Sequence, residues 1–454
     1  MNIMMLFIVY QFVQMLLFPL FIPYVAVKNI VARSSIQEVK EQIGIVPKVQ
    51  GNKPVIWFHA LRAGEVLSIE RLINEVKETM PEVECYVTAS TPEGKQMAEK
   101  TLKADYVSLL PYDALASMLL AFDRIKPTAI VVLEHELWPN MIMLAKMKGM
   151  PIYLLNAYLS GSNALLWSSL KFVYSSLLNA FDYIFAQHEQ AKVDLIEKFD
   201  VAPERISSMG DVKCYNVQAK RIACEKAFTQ PYGQYRNHKF CTLLLGSIYD
   251  GELDGYLGLY KTLKLEQPDL KLIIAPRHFA WKEKLVQEVE KTGYRAFMWD
   301  NQTTVLNQSS DALKYLANEI LPQHDIVLVC TMGKLFSLHP LADVFCLGGT
   351  FVPVGGHNVL EPAVWANPII VGPHHETFKQ AIDQLEQVGG LRKVTDAQLL
   401  ECVRDLVLHK EKRELMGKKA EQWLEQQADL VTKSASLLFR FLRNSYDQFV
   451  FVNP

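Results

Sequence analysis

Paired cysteines, metal-binding spacings and an excess of either charge are missing from this sequence, and each absence removes a class of protein. The seven cysteines (85, 214, 224, 241, 330, 346 and 402) are scattered, odd in number and never spaced CxxC. This argues against a disulfide framework or structural zinc and suits a reducing compartment. A formal net charge of -2 over 454 residues gives no case for nucleic acid as a partner. There is no GxGxxG, no GxxxxGK and no DxD to hold a metal–diphosphate. No internal repeat or low-complexity tract appears. A hydrophobic content of 50% with 21% charged residues excludes a disordered chain. The length suits two domains.

Charge is also missing from the first 27 residues. Met1–Val27 is apolar after Asn2 except for Gln11, Gln14, Pro19 and Pro23, and Lys28, Arg33 and Lys40 follow it. About 20 apolar residues suffice to span a bilayer. The following cations would leave the rest of the chain in the cytoplasm. A cleaved signal peptide would need a basic start, which is lacking. A helix lying in the interface, bent by the two prolines, is the other anchored arrangement.

Beyond a polar connector at Ala32–Lys53, strand-like and helix-like runs alternate. Val55–His59, Glu84–Ala89, Ala129–Leu133 and Ile152–Asn156 read as strands. In Val66–Glu78, the residues Val66, Ile69, Leu72, Ile73 and Val76 fall at helical spacing. After a polar stretch at Thr229–Lys239, the pattern restarts with strands at Phe240–Leu245, Leu270–Ala275, Ile326–Val329, Val344–Leu347 and Ile369–Val371. Lys410–Ser445 is helical in pattern. This alternation implies two Rossmann-like halves with parallel sheets and ligands at the strand C-termini.

Four stretches sit at such strand ends. Gly348–Glu361 (GGTFVPVGGHNVLE) carries two glycine pairs and a helix start with Pro362 in the first turn. Free N–H groups there suit a phosphate, and Glu361 suits ribose hydroxyls; a tight turn with a capping acid is the plainer reading. Pro276-Arg277-His278 places a planar cation after a strand, although an isolated Arg is more often a surface residue. In His59–Glu65 (HALRAGE), Glu65 is either a general base or a carboxylate compensating the helix dipole. Glu134–Asn140 (EHELWPN) offers Glu134 and Glu136 to orient a polar substrate, or with His135 to bind a metal. His374-His375 has no partner at ligand spacing and reads as a loop pair.

In order along nearly the whole chain stand HALRAGE, LLPYD (Leu109–Asp113), EHELWPN, NAYLS (Asn156–Ser160), GDVK (Gly210–Lys213), APRH, TMGK (Thr331–Lys334), GGHNVLEP and GPH (Gly372–His374). Together they resemble the bacterial Kdo transferases, the lipid A 3-deoxy-D-manno-octulosonic acid transferase family. The resemblance implies an α/β GT-B glycosyltransferase: two Rossmann-like domains with parallel sheets plus an N-terminal membrane-anchor helix. It implies a metal-independent, inverting enzyme without cofactor, which moves Kdo from CMP-Kdo to the lipid A precursor (lipid IVA) and releases CMP. Glu65 would be the base, and Glu134 and Lys213 would stabilise the transition state. CMP contacts would come from Pro276, Arg277, Met332, Gly333, Lys334, Asn358, Val359, Leu360 and Glu361. The chain departs from the family at Arg62 (usually Ser), at Lys334 (usually acidic), at Ser247–Glu252 in place of a Ser/Thr-His-x-Gly-Glu-Glu pattern, and in lacking an Arg soon after PRH.

The expected organisation is an anchor at 1–30, an acceptor-binding domain at 31–228, a linker at 229–239, a CMP-sugar-binding domain at 240–430 and a helical segment at 431–454. The expected location is the inner membrane, with the catalytic domains on the cytoplasmic side. Two other readings remain: a GT-B transferase or epimerase using a UDP-sugar, and a non-catalytic membrane protein of this fold.

Overall fold

The structure, a computed structural model, describes residues 3–31, 34–134, 136–158, 169–236, 239–303, 306 and 311–452. Two compact units emerge, the first from Met1–Lys213 with Gln427–Pro454 and the second from Cys214–Gln426.

The first unit contains a seven-stranded sheet: β1 (Val55–Ala60), β2 (Glu84–Ala89), β3 (Tyr106–Leu109), β4 (Ala129–Leu133), β5 (Ile152–Ala157), β6 (Tyr183–Ala186) and β7 (Ile206–Ser208). Their order is β3-β2-β1-β4-β5-β6-β7, and every pairing is parallel. VIWFHA of β1 and AIVVL of β4 are buried throughout, as strands covered on both faces must be. Trp57 packs edge-on against Phe122 at 5.3 Å within this core. The helix expected over Val66–Glu78 forms as two, Ala63–Ser68 and Glu70–Thr79. Ser68 Oγ donates to the Glu65 carbonyl at 2.6 Å, a local bond that competes with helix continuation.

The second unit repeats the plan with β8 (Thr242–Ile248), β9 (Lys271–Pro276), β10 (Ala296–Trp299), β11 (Ile326–Val329), β12 (Val344–Leu347), β13 (Ile369–Val371) and β14 (Leu391–Lys393). The order is β10-β11-β9-β8-β12-β13-β14, again all parallel. The sheet separates two cores, with Leu244 facing one and Leu243 and Leu245 the other. In each sheet the order reverses beside the first strand, between β1 and β4 and between β8 and β12. A doubly wound sheet binds ligands outside the strand ends at such a reversal.

Several boundaries differ from the sequence expectation. The units divide at Lys213–Cys214, not across 229–239. Tyr232–Arg236 is a 3-10 turn with Tyr235 fully buried, and Thr229 and Tyr235 both donate to Asp311, which ties this stretch into the second unit. The last helix, Lys410–Val452, begins in the second unit and belongs to the first from Gln427, four residues before the expected boundary at 431. A side chain at Gly210 would come within 2.4 Å of the Gln427 carbonyl, and Phe441 stacks on Tyr153 at 5.7 Å. At the N-terminus, Ile3–Val31 is helical with Pro19 and Pro23 inside it. Among the described residues, no helix is long and apolar enough to cross a membrane.

Candidate active site

In the first unit, β1 and β4 lie side by side, so the segments that follow them are neighbours. Glu65 follows β1 in the first turn of helix Ala63–Ser68. One of its oxygens, Oε2, accepts the Leu61 N–H at 2.6 Å and the Arg62 N–H at 3.1 Å. The capping geometry is therefore real, and it fixes the carboxylate at the strand end. Arg62 contributes its backbone here, and its side chain is exposed.

Glu134 follows β4 and is 6% exposed. Its φ is 59°, and that of Asn156 at the end of β5 is 56°. Left-handed non-glycine residues at strand ends are strained and cluster at functional sites. Asn156 Nδ2 and the Tyr158 hydroxyl both donate to the Glu134 carboxylate at 3.4 Å. Burial pushes the Glu134 carboxyl up to about 7, helped by the charge of Glu65 and opposed by Lys213. Asp211 is also raised, chiefly by burial, again with Lys213 opposing. Lys213, exposed in the first turn after β7, thus shares one electrostatic neighbourhood with Glu65, Glu134 and Asp211. The structure brings together all three residues expected to be catalytic.

Behind them, the fully buried His59 locks the two loops. Its Nδ1 faces the Thr88 carbonyl at 3.2 Å, while its Nε2 lies 3.1 Å from Trp138 Nε1. Trp138 Nε1 also donates to Glu136 at 3.0 Å. Glu136 is thereby engaged in orienting the loop. His135 and residues 159–160 of the NAYLS stretch lie outside the described residues. Among the described residues no group of His, Cys, Asp and Glu could hold a metal ion.

In the second unit, Pro276-Arg277-His278 ends β9, Met332-Gly333-Lys334 follows β11, and Gly348–Glu361 follows β12. All stand at the carboxyl edge of one sheet. The amides at the first glycine pair are engaged within the protein. The Gly349, Thr350 and Phe351 N–H groups point at the buried carboxylate of Glu252, at 2.9, 3.2 and 3.0 Å, and Tyr249 N–H adds a fourth bond at 2.9 Å. These amides are not free for a phosphate. A Cβ on Gly348 would lie 2.3 Å from the Ser247 carbonyl, so only glycine fits. Ser247 itself has φ 59°.

The second pair, Gly355 and Gly356, has φ 95° and 75° and turns the chain so that His357 stacks on Tyr249 at 5.7 Å. His278 meets the same Tyr249 edge-on at 5.5 Å. The pKa of His357 is lowered by burial and then by the charges of Arg277 and His278. Arg277 is exposed, and its N–H is anchored on the Ile248 carbonyl at 2.9 Å. The expected helix start is a single turn, Leu360–Val364, too short for an appreciable dipole. Val359 and Leu360 are core residues, which leaves only their backbone for a ligand. Asn358 Oδ1 caps the Leu360 N–H at 3.0 Å. Glu361 pairs with Lys220 at 2.8 Å. Lys334 lies over the Trp299 ring at 5.4 Å, and Met332 is 71% exposed. Reasoning from sequence missed Glu252, Tyr249 and His357. The altered Ser247–Glu252 motif and the His between Gly356 and Asn358 were the available signals.

Two doubly wound parallel-sheet units, each with its polar constellation at a sheet reversal, make this a GT-B glycosyltransferase fold. A putative UDP-N-acetylglucosamine 2-epimerase from Listeria monocytogenes shares the fold, with a TM-score of 0.52 at 14% identity over 86% of this chain and 97% of that one. Residues 37–216 match the family model described as 3-deoxy-D-manno-octulosonic-acid transferase (kdotransferase). The 3-deoxy-D-manno-octulosonic acid transferase of Chlamydophila psittaci is 25% identical over 384 residues, 84% of each chain. That of Aquifex aeolicus is 26% identical over 375 residues, 80% of this chain and 91% of its own. Over most of its length the chain is thus similar to the Kdo transferases.

Proposed function

We propose that the protein transfers Kdo from CMP-Kdo to a glucosamine hydroxyl of the lipid A precursor (lipid IVA), with inversion and release of CMP, in lipopolysaccharide core assembly. The observation that carries this reading is the grouping of Glu65, Glu134 and Lys213 at the reversal of the first sheet, in a chain similar to the Kdo transferases. Glu65 takes the hydroxyl proton as that oxygen attacks the anomeric carbon. The anomeric C–O bond to the phosphate breaks on the opposite face, and its electron pair leaves with CMP. Lys213 and Glu134 stabilise the charge that develops. Arg277 supplies a cation for the phosphate, Asn358 and Glu361 bind the nucleoside, and Pro276, Met332, Gly333, Lys334, Val359 and Leu360 complete the CMP contacts. We also place the enzyme at the inner membrane, held by helix Ile3–Val31 with both units on the cytoplasmic side. The charge-free Met1–Val27 followed by Lys28, Arg33 and Lys40 supports this placement.

The test is transfer from CMP-Kdo to lipid IVA by detergent extracts, with product mass counting the sugars added. Glu65→Gln is expected to abolish turnover while CMP still binds; normal turnover would remove Glu65 from the base role. Thermal stabilisation by UDP and not by CMP would reject the donor.

A further inference from the structure

Helix Ile3–Val31 is amphipathic in the reverse sense to a water-exposed helix. Positions 7, 10, 11 and 14, spaced i, i+3, i+4, i+7, are partly covered. Three of them are polar and bond to the first unit. Tyr10 OH donates to Asp113 Oδ2 at 2.9 Å, Gln14 Nε2 to the Asp113 carbonyl at 2.6 Å, and Gln11 Nε2 to Asn140 Oδ1 at 2.5 Å. Asn140 Nδ2 returns a bond to Gln14 Oε1 at 3.2 Å. The Asp113 carboxylate also accepts the Asn140 and Met141 N–H groups at the start of helix Pro139–Met147. The stripe facing the protein is therefore polar and satisfied. The outward positions are apolar: Ile8, Phe12, Val13, Met15, Leu16 and Leu17 are 43–64% exposed. Water would favour the opposite arrangement, whereas hydrocarbon favours this one.

The same bonds decide how the helix sits. In a spanning helix with Lys28 at the cytoplasmic surface, Gln14 would lie about 20 Å below that surface at 1.5 Å per residue. Tyr10, Gln11 and Gln14 could then reach Asp113 and Asn140 only if the first unit carried a carboxylate deep into the hydrocarbon, which is expensive.

We propose that this helix lies in the plane of a phospholipid leaflet, its apolar face in the acyl chains and its Tyr10–Gln14 stripe bonded to the first unit. The partner is the lipid surface, and Lys28 in the last turn of the helix, with Arg33 and Lys40 beyond it, suits anionic headgroups. Both helix ends then stay on the side occupied by the catalytic units. This rests on the membrane placement above, and it is independent of the sugar transferred.

The test is protease digestion of an N-terminal epitope tag on the full chain, in right-side-out spheroplasts and in inverted inner-membrane vesicles. In-plane seating predicts a tag lost only in the inverted vesicles. Loss in spheroplasts would overturn it while leaving membrane attachment intact; a wholly soluble protein would overturn both. Phe12→Lys with Leu16→Lys is expected to move at least half of the protein to the soluble fraction without changing the unfolding temperature. Full retention of that folded variant on membranes would refute the apolar contact. Gln11→Leu with Gln14→Leu removes the stripe that holds the helix down, so part of its tag is expected to become accessible in spheroplasts. A tag that stays on the cytoplasmic side would show that the stripe does not set the seating.

Discussion

Replacing Glu134 by Gln separates what the residue does for folding from what it does for transfer. The carboxyl is 6% exposed, and burial with the nearby Glu65 charge raises it from 4.5 to about 7. The folded state thus holds the Glu134 proton more tightly than the unfolded chain does. The stability this confers is fully present below pH 4.5 and is lost as pH rises through about 7. At about 1.4 kcal/mol per pH unit, the loss reaches about 3 kcal/mol. Gln is neutral at every pH and escapes it. Thermal unfolding of wild type and Glu134→Gln in detergent from pH 4.5 to 8.5 is expected to show a gap widening in favour of the variant, by about 6–12 °C at 2–4 °C per kcal/mol for a unit of this size. Kdo transfer by the same variant is expected to fall about a hundredfold or more, as when a group that stabilises developing charge is removed. Glu65 is the second contributor to the shift, so in a Glu65→Gln background the widening ends at lower pH and is smaller. A gap that stays flat across this range would refute the buried, proton-holding carboxyl of Glu134.

Gly348→Ala forces a Cβ to 2.3 Å from the Ser247 carbonyl, and is expected to destabilise the second unit by about 3 kcal/mol in a thermal melt and to abolish CMP binding. Arg277→Ala removes an exposed side chain and is expected to leave the unfolding temperature unchanged. Its affinity for CMP should drop about tenfold to a hundredfold in calorimetric titration, with affinity for cytidine unaltered; an equal loss for cytidine would show that Arg277 does not meet the phosphate.

The fully buried strands were legible because an apolar run of three to six residues between polar segments has few other uses in an alternating chain. β4, β11, β12 and β13 stand where the pattern put them, and β1 is one residue longer. β3, β7, β10 and β14 were not legible. They lie toward the sheet edges, and their residues, such as Tyr106, Ser207, Phe297 and Arg392, are partly exposed and break the apolar run. Glu65, Glu134 and Lys213 were found because short motifs name them, yet nothing local says that three strand ends 148 residues apart at the extremes meet through the order β1-β4-β5-β6-β7. The break at Ile69 depends on a hydroxyl bond that no periodicity reveals. That residues 229–236 belong to the second unit and are not a linker depends on Tyr235 and Asp311, partners 76 residues apart.

The first amides of the glycine loop are already engaged within the protein. Gly348–Glu361 stands at the sheet reversal, as its pattern implied, but the anion its first amides hold is the protein's own Glu252. A phosphate brought to this edge cannot use those amides, and the side chains gathered there are Arg277, His278 and His357, beside Tyr249. Without ligand, burial and then the neighbouring Arg277 and His278 hold His357 below the usual imidazole range. A bound phosphate reverses the local potential and raises it, so CMP binding draws in a proton. Affinity for CMP is then greatest at acid pH, and it weakens as pH rises through the pKa of His357 in the bound state. Calorimetric titration of CMP between pH 5.5 and 8 in buffers of different ionisation enthalpy measures that proton directly. His357→Gln should abolish its uptake and flatten the pH dependence, whereas unchanged uptake in the variant would assign the proton to another group and leave Arg277 as the phosphate's main partner.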